Sequence, residues 1–296
     1  MTTEISGPQG LPSPAQLRGI TVDAAQQAGV ALKDVFRSHL AVDTKSSPQD
    51  LVTVWDHRTE EVLVSALTRT VPDSRITGEE GGSHGTGRLE WIIDPIDGTS
   101  NFAHGFAMFS ISIAAAVDDE VIAGVVHDPI NQLTFSADDD AAWLAVGAAG
   151  ERRLRPQPKA EQHEERLNLV TSYPSAEVIA SRGEDSLRAF GELVSTYATV
   201  RRVVSGALEL CHAAAGWADV AAGVGTSPWD VAAAQLILRR AGGRYLAFGA
   251  RTGRSWSGEA EPAGRHLAPD YVGLAPGVVA PTIGRIVAAH ARPGAV

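Results

Sequence analysis

Cysteine is nearly absent from this sequence. Cys211 is the only one in 296 residues, so no intramolecular disulfide can form. It lies in the apolar stretch GALELCHAAAG, where a small buried side chain is the expected role. No Cys/His cluster is present, which speaks against zinc. Long apolar runs are missing as well, and the longest fall well short of the roughly 20 residues needed to span a bilayer. The N-terminus, MTTEISGPQGLPSPAQ, has neither a basic start nor an apolar centre. No signal peptide is therefore expected, and the cytoplasm is the expected location. Positive charge is in short supply: 25 Lys and Arg face 35 Asp and Glu, a formal net charge of -10. An acidic balance argues against nucleic acid as the principal partner. The short basic clusters Arg152-Arg153-Leu154-Arg155 and Arg201-Arg202 are expected to be solvated surface.

What is present is ordinary for a globular protein. Hydrophobic residues make up 44% and charged residues 20%, enough at this length for one large domain or two fused units. Residues 1–14, rich in Gly, Pro and Ser, are expected to be a flexible leader. Leu17, Ile20, Ala24, Ala28, Ala31 and Val35 recur three or four apart and predict a helix from Pro14 to about Leu40. A second helix is expected after the turn-rich DTKSSPQDLVTVWD, capped at Asp56, with Val62, Leu63, Ala66 and Leu67 on its apolar side. RITGEEGGSHGTG reads as a short strand, two glutamates and a glycine-rich loop. Strands are expected at 89–94, 109–117 and 120–128, with a further strand and turn in TFSADDDAAWLAVG.

The polar residues 147–165 mark a soft boundary. Beyond it come a strand in RLNLVTS, helices at 184–197 and 205–216, and a strand at 200–204. SPWDVAAAQLILRRAGG predicts a helix capped by Ser227 and ended at Gly242. Strands in RYLAFGA and YVGLAP, a polar loop at 249–269 and a helix near 278–292 complete the chain. The expected organisation is an N-terminal α+β part at 15–155 and a C-terminal α/β part at 156–296.

The stretch WIIDPIDGTSNF (91–102) carries the chemistry. Asp94 falls where an apolar strand ends, Pro95 breaks the ladder, and Gly98 permits a tight turn. Asp94 and Asp97 can then point into one cleft. Two carboxylates side by side repel unless a cation intervenes. A divalent metal resolves the conflict, and all-oxygen ligands favour Mg²⁺. Glu79 and Glu80 end another strand, and Asp230 sits in the first turn of a helix after Trp229. Singly these suit a turn acid, a surface glutamate or a helix-dipole partner; together they suggest one site. Backbone N–H groups around Gly98-Thr99-Ser100 can face an anion if the loop opens a helix. The combined reading is metal-assisted attack of water on a phosphate ester.

These segments resemble the inositol monophosphatase family. GEE (78–80), WIIDPIDGTSNF and WDVAAAQLILRRAGG (229–243) look like its three signatures, and KSSPQDLVTVWD (45–56) matches its N-terminal region. The resemblance runs from about residue 15 to the C-terminus. It implies the layered αβαβα sandwich of the inositol monophosphatase/fructose-1,6-bisphosphatase superfamily, α+β in the first half and α/β in the second. It also implies two or three Mg²⁺ ions held by Glu79, Asp94, Asp97, Asp230 and the carbonyl of Ile96. Asp94 would bridge two ions, with Glu79 and Ile96 on the first and Asp97 and Asp230 on the second. Thr99, hydrogen-bonded to Asp56, would orient the attacking water and help to deprotonate it, with Glu79 also counted as catalytic. Gly98 and Thr99 would bind phosphate. Asp97, Ser205, Gly206 and Asp230 would meet the substrate, with Ala207 at the same wall. Lys45 matches a position in a mobile loop near the cleft. Lithium inhibition and a homodimer are implied too.

Ser100 follows the threonine where nucleotide 3'-phosphatases and histidinol phosphatases more often have a basic residue, which points to inositol 1-phosphate or a similar small polyol phosphate. Gly223 departs from that pattern. It stands seven residues before Asp230, where inositol-type members usually carry a glutamate that accepts from ring hydroxyls. Losing such an acceptor costs on the order of 1–3 kcal/mol. Histidinol phosphate, fructose 1,6-bisphosphate and 3'-phosphoadenosine phosphates stay open as substrates, as does a binding role in RNA-associated complexes. His84, His104 and His127 are expected in loop, surface or core roles, Asp138–Asp140 in a solvated turn, and GGSHGTG lacks the lysine of a P-loop.

Overall fold

In the computed structural model, which describes residues 10–38, 42–44, 51–159, 163–259 and 263–291, the chain enters helix α1 (Pro14–Val35) through a capping box. Ser13 N–H donates to Gln16 at 2.8 Å, and Gln16 N–H donates back to Ser13 at 3.4 Å. Strands β1 (Val42–Thr44) and β2 (Leu51–Thr53) pair antiparallel before α2 (Val54–Thr70). Thr53, not Asp56, caps α2. Asp56 lies three residues inside and accepts the Thr53 N–H at 2.7 Å, a reciprocal box that the sequence reading placed one turn off. Ala31 and Val62 face solvent, so the apolar stripes of both helices are narrower than their spacing suggested.

Then follow β3 (Ser74–Gly78), β4 (Gly82–His84), β5 (Leu89–Asp97), α3 (Thr99–Ala103), β6 (Ser110–Val117), β7 (Glu120–Asp128), β8 (Leu133–Ala137), β9 (Ala142–Val146) and β10 (Ala149–Arg153). The second half comprises β11 (Asn168–Thr171), α4 (Ala176–Arg182), α5 (Glu184–Thr196), β12 (Thr199–Arg201), α6 (Gly206–Ala214), β13 (Val220–Gly223), α7 (Pro228–Arg240), β14 (Arg244–Arg251), β15 (Arg254–Glu259), β16 (Asp270–Leu274) and α8 (Pro281–His290). Among the described residues these strands form an eight-stranded sheet, β10-β9-β8-β7-β6-β5-β3-β4, and a six-stranded sheet, β12-β11-β13-β16-β14-β15, beside the β1-β2 pair.

Strand periodicity assigns the layers, because alternate residues point to opposite faces. Trp91, Ile93, Ile113 and Ala115 pack with Leu17, Leu32, Leu63 and Leu67 of α1 and α2. Ile92, Ala114, Ala116 and Val126 point the other way, onto α6 and α7. Those two helices also bury Val170, Ala221, Ala247 and Tyr271 of the second sheet. Its opposite face, with Leu169, Val220, Val272 and Leu274, packs on α5 and α8 through Leu193, Ile283 and Val287. The order is therefore αβαβα.

Several segments depart from the sequence reading. The glycine-rich stretch carries β4, so His84 lies on an exposed strand and not in a loop. The strand expected at 200–204 is short and ends at Arg201. The polar loop at 249–269 contains β15 and a 3-10 turn, Arg265–Leu267; β15 is a mostly exposed hairpin arm, so no apolar alternation betrayed it. Helix α4 was not foreseen. Asp138 is buried and not solvated: it accepts the Asp140 and Ala141 N–H groups at 2.9 and 3.2 Å and faces Arg18 at 3.4 Å. Cys211 is buried, as expected.

The inner helix layer lies tight on the first sheet at Gly124 of β7, where a Cβ would sit 3.0 Å from Ala233 Cβ and 3.1 Å from the Ile113 carbonyl oxygen. Gly124→Val is expected to lower unfolding free energy by about 1–3 kcal/mol, read from urea denaturation. His127, buried beside Thr134 at 3.0 Å, is pushed down to about 4 by burial. The unfolded imidazole titrates near 6.5, so unfolding takes up a proton between those values and stability falls as pH drops through that window. His127→Gln is expected to flatten this part of the stability-versus-pH curve in denaturation midpoints.

Candidate active site

The site starts from a fault in a strand. Asp94 pairs opposite Ser112 and Asp97 opposite Ser110, so β5 spends one more residue than β6 over this interval. Such a bulge turns neighbouring side chains. Here it places both aspartates in the interior, with Asp94 accepting the Ile96 N–H at 3.0 Å. Gly98 follows at φ 95°, a left-handed conformation natural to glycine. A side chain there would also crowd the Val204 and Met108 carbonyls, 3.0 and 3.1 Å from a Cβ. Thr99 then opens α3. Its hydroxyl lies 2.9 Å from both Asp56 Oδ1 and the Ile96 carbonyl, and its one proton can go to only one of them at a time.

Each acid is held by a different element. Asp97 accepts from the Ser205 hydroxyl, the Gly206 N–H at 3.1 Å and the Ala207 N–H at 2.9 Å, so it binds the N-terminal turn of α6. Asp230 accepts the Ser227 N–H at 2.7 Å within the capping box of α7. Glu79 follows β3, with its N–H on the Ile93 carbonyl at 3.2 Å. The turn after it is gripped by buried Glu60, which accepts the Glu80 and Gly81 N–H groups at 2.9 and 2.6 Å.

These acids feel one another. Asp94 is raised well above the carboxylate range, by burial first and then by Glu79, Asp97 and Asp230, and it shares a hydrogen bond with Glu79. Burial raises Asp97 to about 6 against the bonds from Ser205, Ala207 and Gly206, with Glu79 adding repulsion. Asp230 rises to about 8 through burial and then Asp97. Asp56 is also raised by burial, against the bonds from Thr53 and Thr99. Among the described residues, no three Asp, Glu, His or Cys side chains converge into a preformed cage. Even so, a partly to fully buried, mutually repelling, all-oxygen set is chemically suited to a hard divalent cation.

Glu79, Asp94, Ile96, Asp97, Gly98, Thr99, Asp56 and Asp230 thus share one neighbourhood, and Ser205 and Gly206 adjoin it through Asp97. Lys45 lies outside the described residues. A cavity of about 240 Å³ opens beside them, lined by Asp97, Ser205, Gly206, Asp230, Glu209 and Tyr271 among others. Gly223 lies under the Tyr271 ring, where a Cβ would be 2.4 Å from Cε1. The aromatic ring fills the space that a side chain at 223 would need. Glu60 and Glu209 were missed by the sequence reading. Glu209 is fully buried, accepts from Ser172 at 3.2 Å, and is raised to about 8 by burial and then Asp97. A lone acid inside the apolar stretch GALELCH was the available signal; Glu60 had none, on an ordinary polar helix face. His104 bonds the Ser100 carbonyl at 2.7 Å, and His127 packs against β8.

Neutralising the most crowded acid should relieve the repulsion. In chelator, Asp94→Asn is expected to raise the thermal midpoint at neutral pH above that of the parent, since an amide oxygen can still accept the Ile96 N–H.

The Inositol monophosphatase family model matches residues 13–284. A protein named Nus factor SuhB from Xylella fastidiosa is 35% identical over 230 residues, covering 77% of this chain and 81% of its own. Inositol monophosphatase 2 of Mus musculus is 33% identical over 234 residues, 76% of this chain and 77% of its own. Among solved structures, an IMPase from Thermotoga maritima superposes with a TM-score of 0.72 at 25% identity, covering 92% of this chain and 96% of that one. Among the described residues, no helix is long and apolar enough to cross a membrane. With the acid-lined end of β5, the Thr99–Asp56 pair and these matches together, the chain belongs to the inositol monophosphatase family.

Proposed function

We propose that this chain is a Mg²⁺-dependent phosphomonoesterase that hydrolyses inositol 1-phosphate or a similar small polyol phosphate. The observation that carries the reading is the gathering of Glu79, Asp94, Asp97 and Asp230 beside the Thr99–Asp56 hydrogen bond. In this reading Glu79, Asp94, Asp97, Asp230 and the Ile96 carbonyl hold two or three Mg²⁺ ions. Bound there, Mg²⁺ would polarise the phosphate and neutralise charge on the leaving oxygen. Thr99, donating to Asp56, keeps lone pairs free to accept from the attacking water and so aims it. Asp56, made more basic by burial, is placed to take a proton through that hydroxyl. Gly98 and Thr99 N–H groups bind the phosphate. Both halves contribute, with Glu79, Asp94 and Asp97 from 15–155 and Asp230 from 156–296. Lithium inhibition and a homodimer belong to the same reading.

The relatives named inositol monophosphatase support hydrolysis. Those named Nus factor SuhB favour a second reading, an RNA- or protein-binding role alongside or instead of it. Phosphate release across inositol 1-phosphate, histidinol phosphate, fructose 1,6-bisphosphate and 3'-phosphoadenosine phosphates separates them. Mg²⁺-dependent release is expected, greatest for the polyol ester. Thr99→Ala should reduce kcat about 100-fold or more. An inert parent enzyme across this panel, combined with saturable RNA or protein binding, would replace the first reading with the second.

A further inference from the structure

The C-terminal end of α7 carries a cluster at odds with the acidity of the chain. Arg239 and Arg240 of α7, Arg244 at the start of β14 and Arg265 of the 3-10 turn line one cavity of about 330 Å³. Glu259 is the one carboxylate among its described lining residues, and it already pairs with Arg244 at 2.7 Å. Four guanidiniums therefore share the cavity with one acid.

A bland origin accounts for part of this. Cations at a helix C-terminus complement its dipole, which explains Arg239 and Arg240. It does not explain why Arg265 is only 7% exposed, nor why Arg239 is half-buried. Arg239 is pushed down to about 10, by burial first and then by the charges of Arg265 and Arg240, with Glu120 opposing them. Tyr245 lines the same cavity. Its side chain is 3% exposed, and its hydroxyl has no hydrogen-bond partner among the described residues. Crowded guanidiniums are relieved by one kind of ligand, a compact oxyanion. Arginine forks match phosphate oxygens in pairs.

We propose that this pocket binds a phosphate-bearing anion at a site separate from the catalytic cleft. Arg240 lies ten residues after Asp230 on α7, so the two sites are about 15 Å apart along the helix. The Tyr245 ring stacks on Tyr271, with centroids 5.4 Å apart and planes inclined at 17°. Tyr271 lines the cleft. One aromatic layer therefore separates the anion pocket from the substrate wall, which places an occupant where it can act on that wall.

Calorimetric titration of the full chain with inorganic pyrophosphate, in chelator, tests this. Saturable binding at one site per chain is expected. Arg240→Gln and Arg244→Gln, both at exposed positions, should each weaken it at least fivefold. Glu259→Gln, which removes the lining carboxylate, should tighten it at least twofold. Asp94→Asn should leave it unchanged. The assignment is overturned by an absence of saturable binding, by affinity indifferent to the arginine substitutions or to Glu259→Gln, or by loss of binding in Asp94→Asn.

Discussion

Carboxylates kept close together and away from water impose the main constraint on this molecule. Burial alone raises the free energy of an ionised acid, and each neighbour of like sign raises it further. The fold tolerates the arrangement because several separate devices hold its members or the turns that carry them. A strand bulge turns Asp94 and Asp97 inward, a helix capping box fixes Asp230, and Glu60 grips the turn that follows Glu79. No single element could present all four, and this gives the layered architecture its functional sense. The first sheet supplies a strand end, and the inner helix layer supplies two helix N-termini.

Much of this was legible in the residues, and the legible part was local. Proline after Asp94, glycine at 98 and the Ser-Pro-Trp-Asp opening of α7 each state a backbone geometry in a few letters. Apolar spacing located most helices and strands. What stayed hidden depended on tertiary placement. β15 is mostly exposed and lacks alternation, and β4 lies within glycines. Asp138 looked solvated among three acids until Arg18, more than a hundred residues earlier, was found beside it. Asp56 shows a subtler limit. Its side chain serves the cap of α2 and the Thr99 hydroxyl together, and only the first of these is a nearest-neighbour matter.

The Gly223–Tyr271 pair shows how a departure from a familiar pattern acquires physical meaning. On sequence alone, glycine there reads as a missing acceptor. In the folded chain it is the floor beneath an aromatic ring, so no larger residue could be restored without moving Tyr271. That ring in turn stacks on Tyr245, which belongs to the arginine-lined cavity. The substrate wall and the basic pocket are thus built from a common pair of side chains.

Asp97 has a consequence for how such a chain could be recombined. It comes from the first sheet, yet its carboxylate grips Ser205, Gly206 and Ala207 at the head of a helix in the second half. Neither half is therefore a self-sufficient cassette. A chimera joining this N-terminal half to a relative's C-terminal half would have to preserve that cross-junction clasp, so the seam between the halves is a poor place for swapping modules.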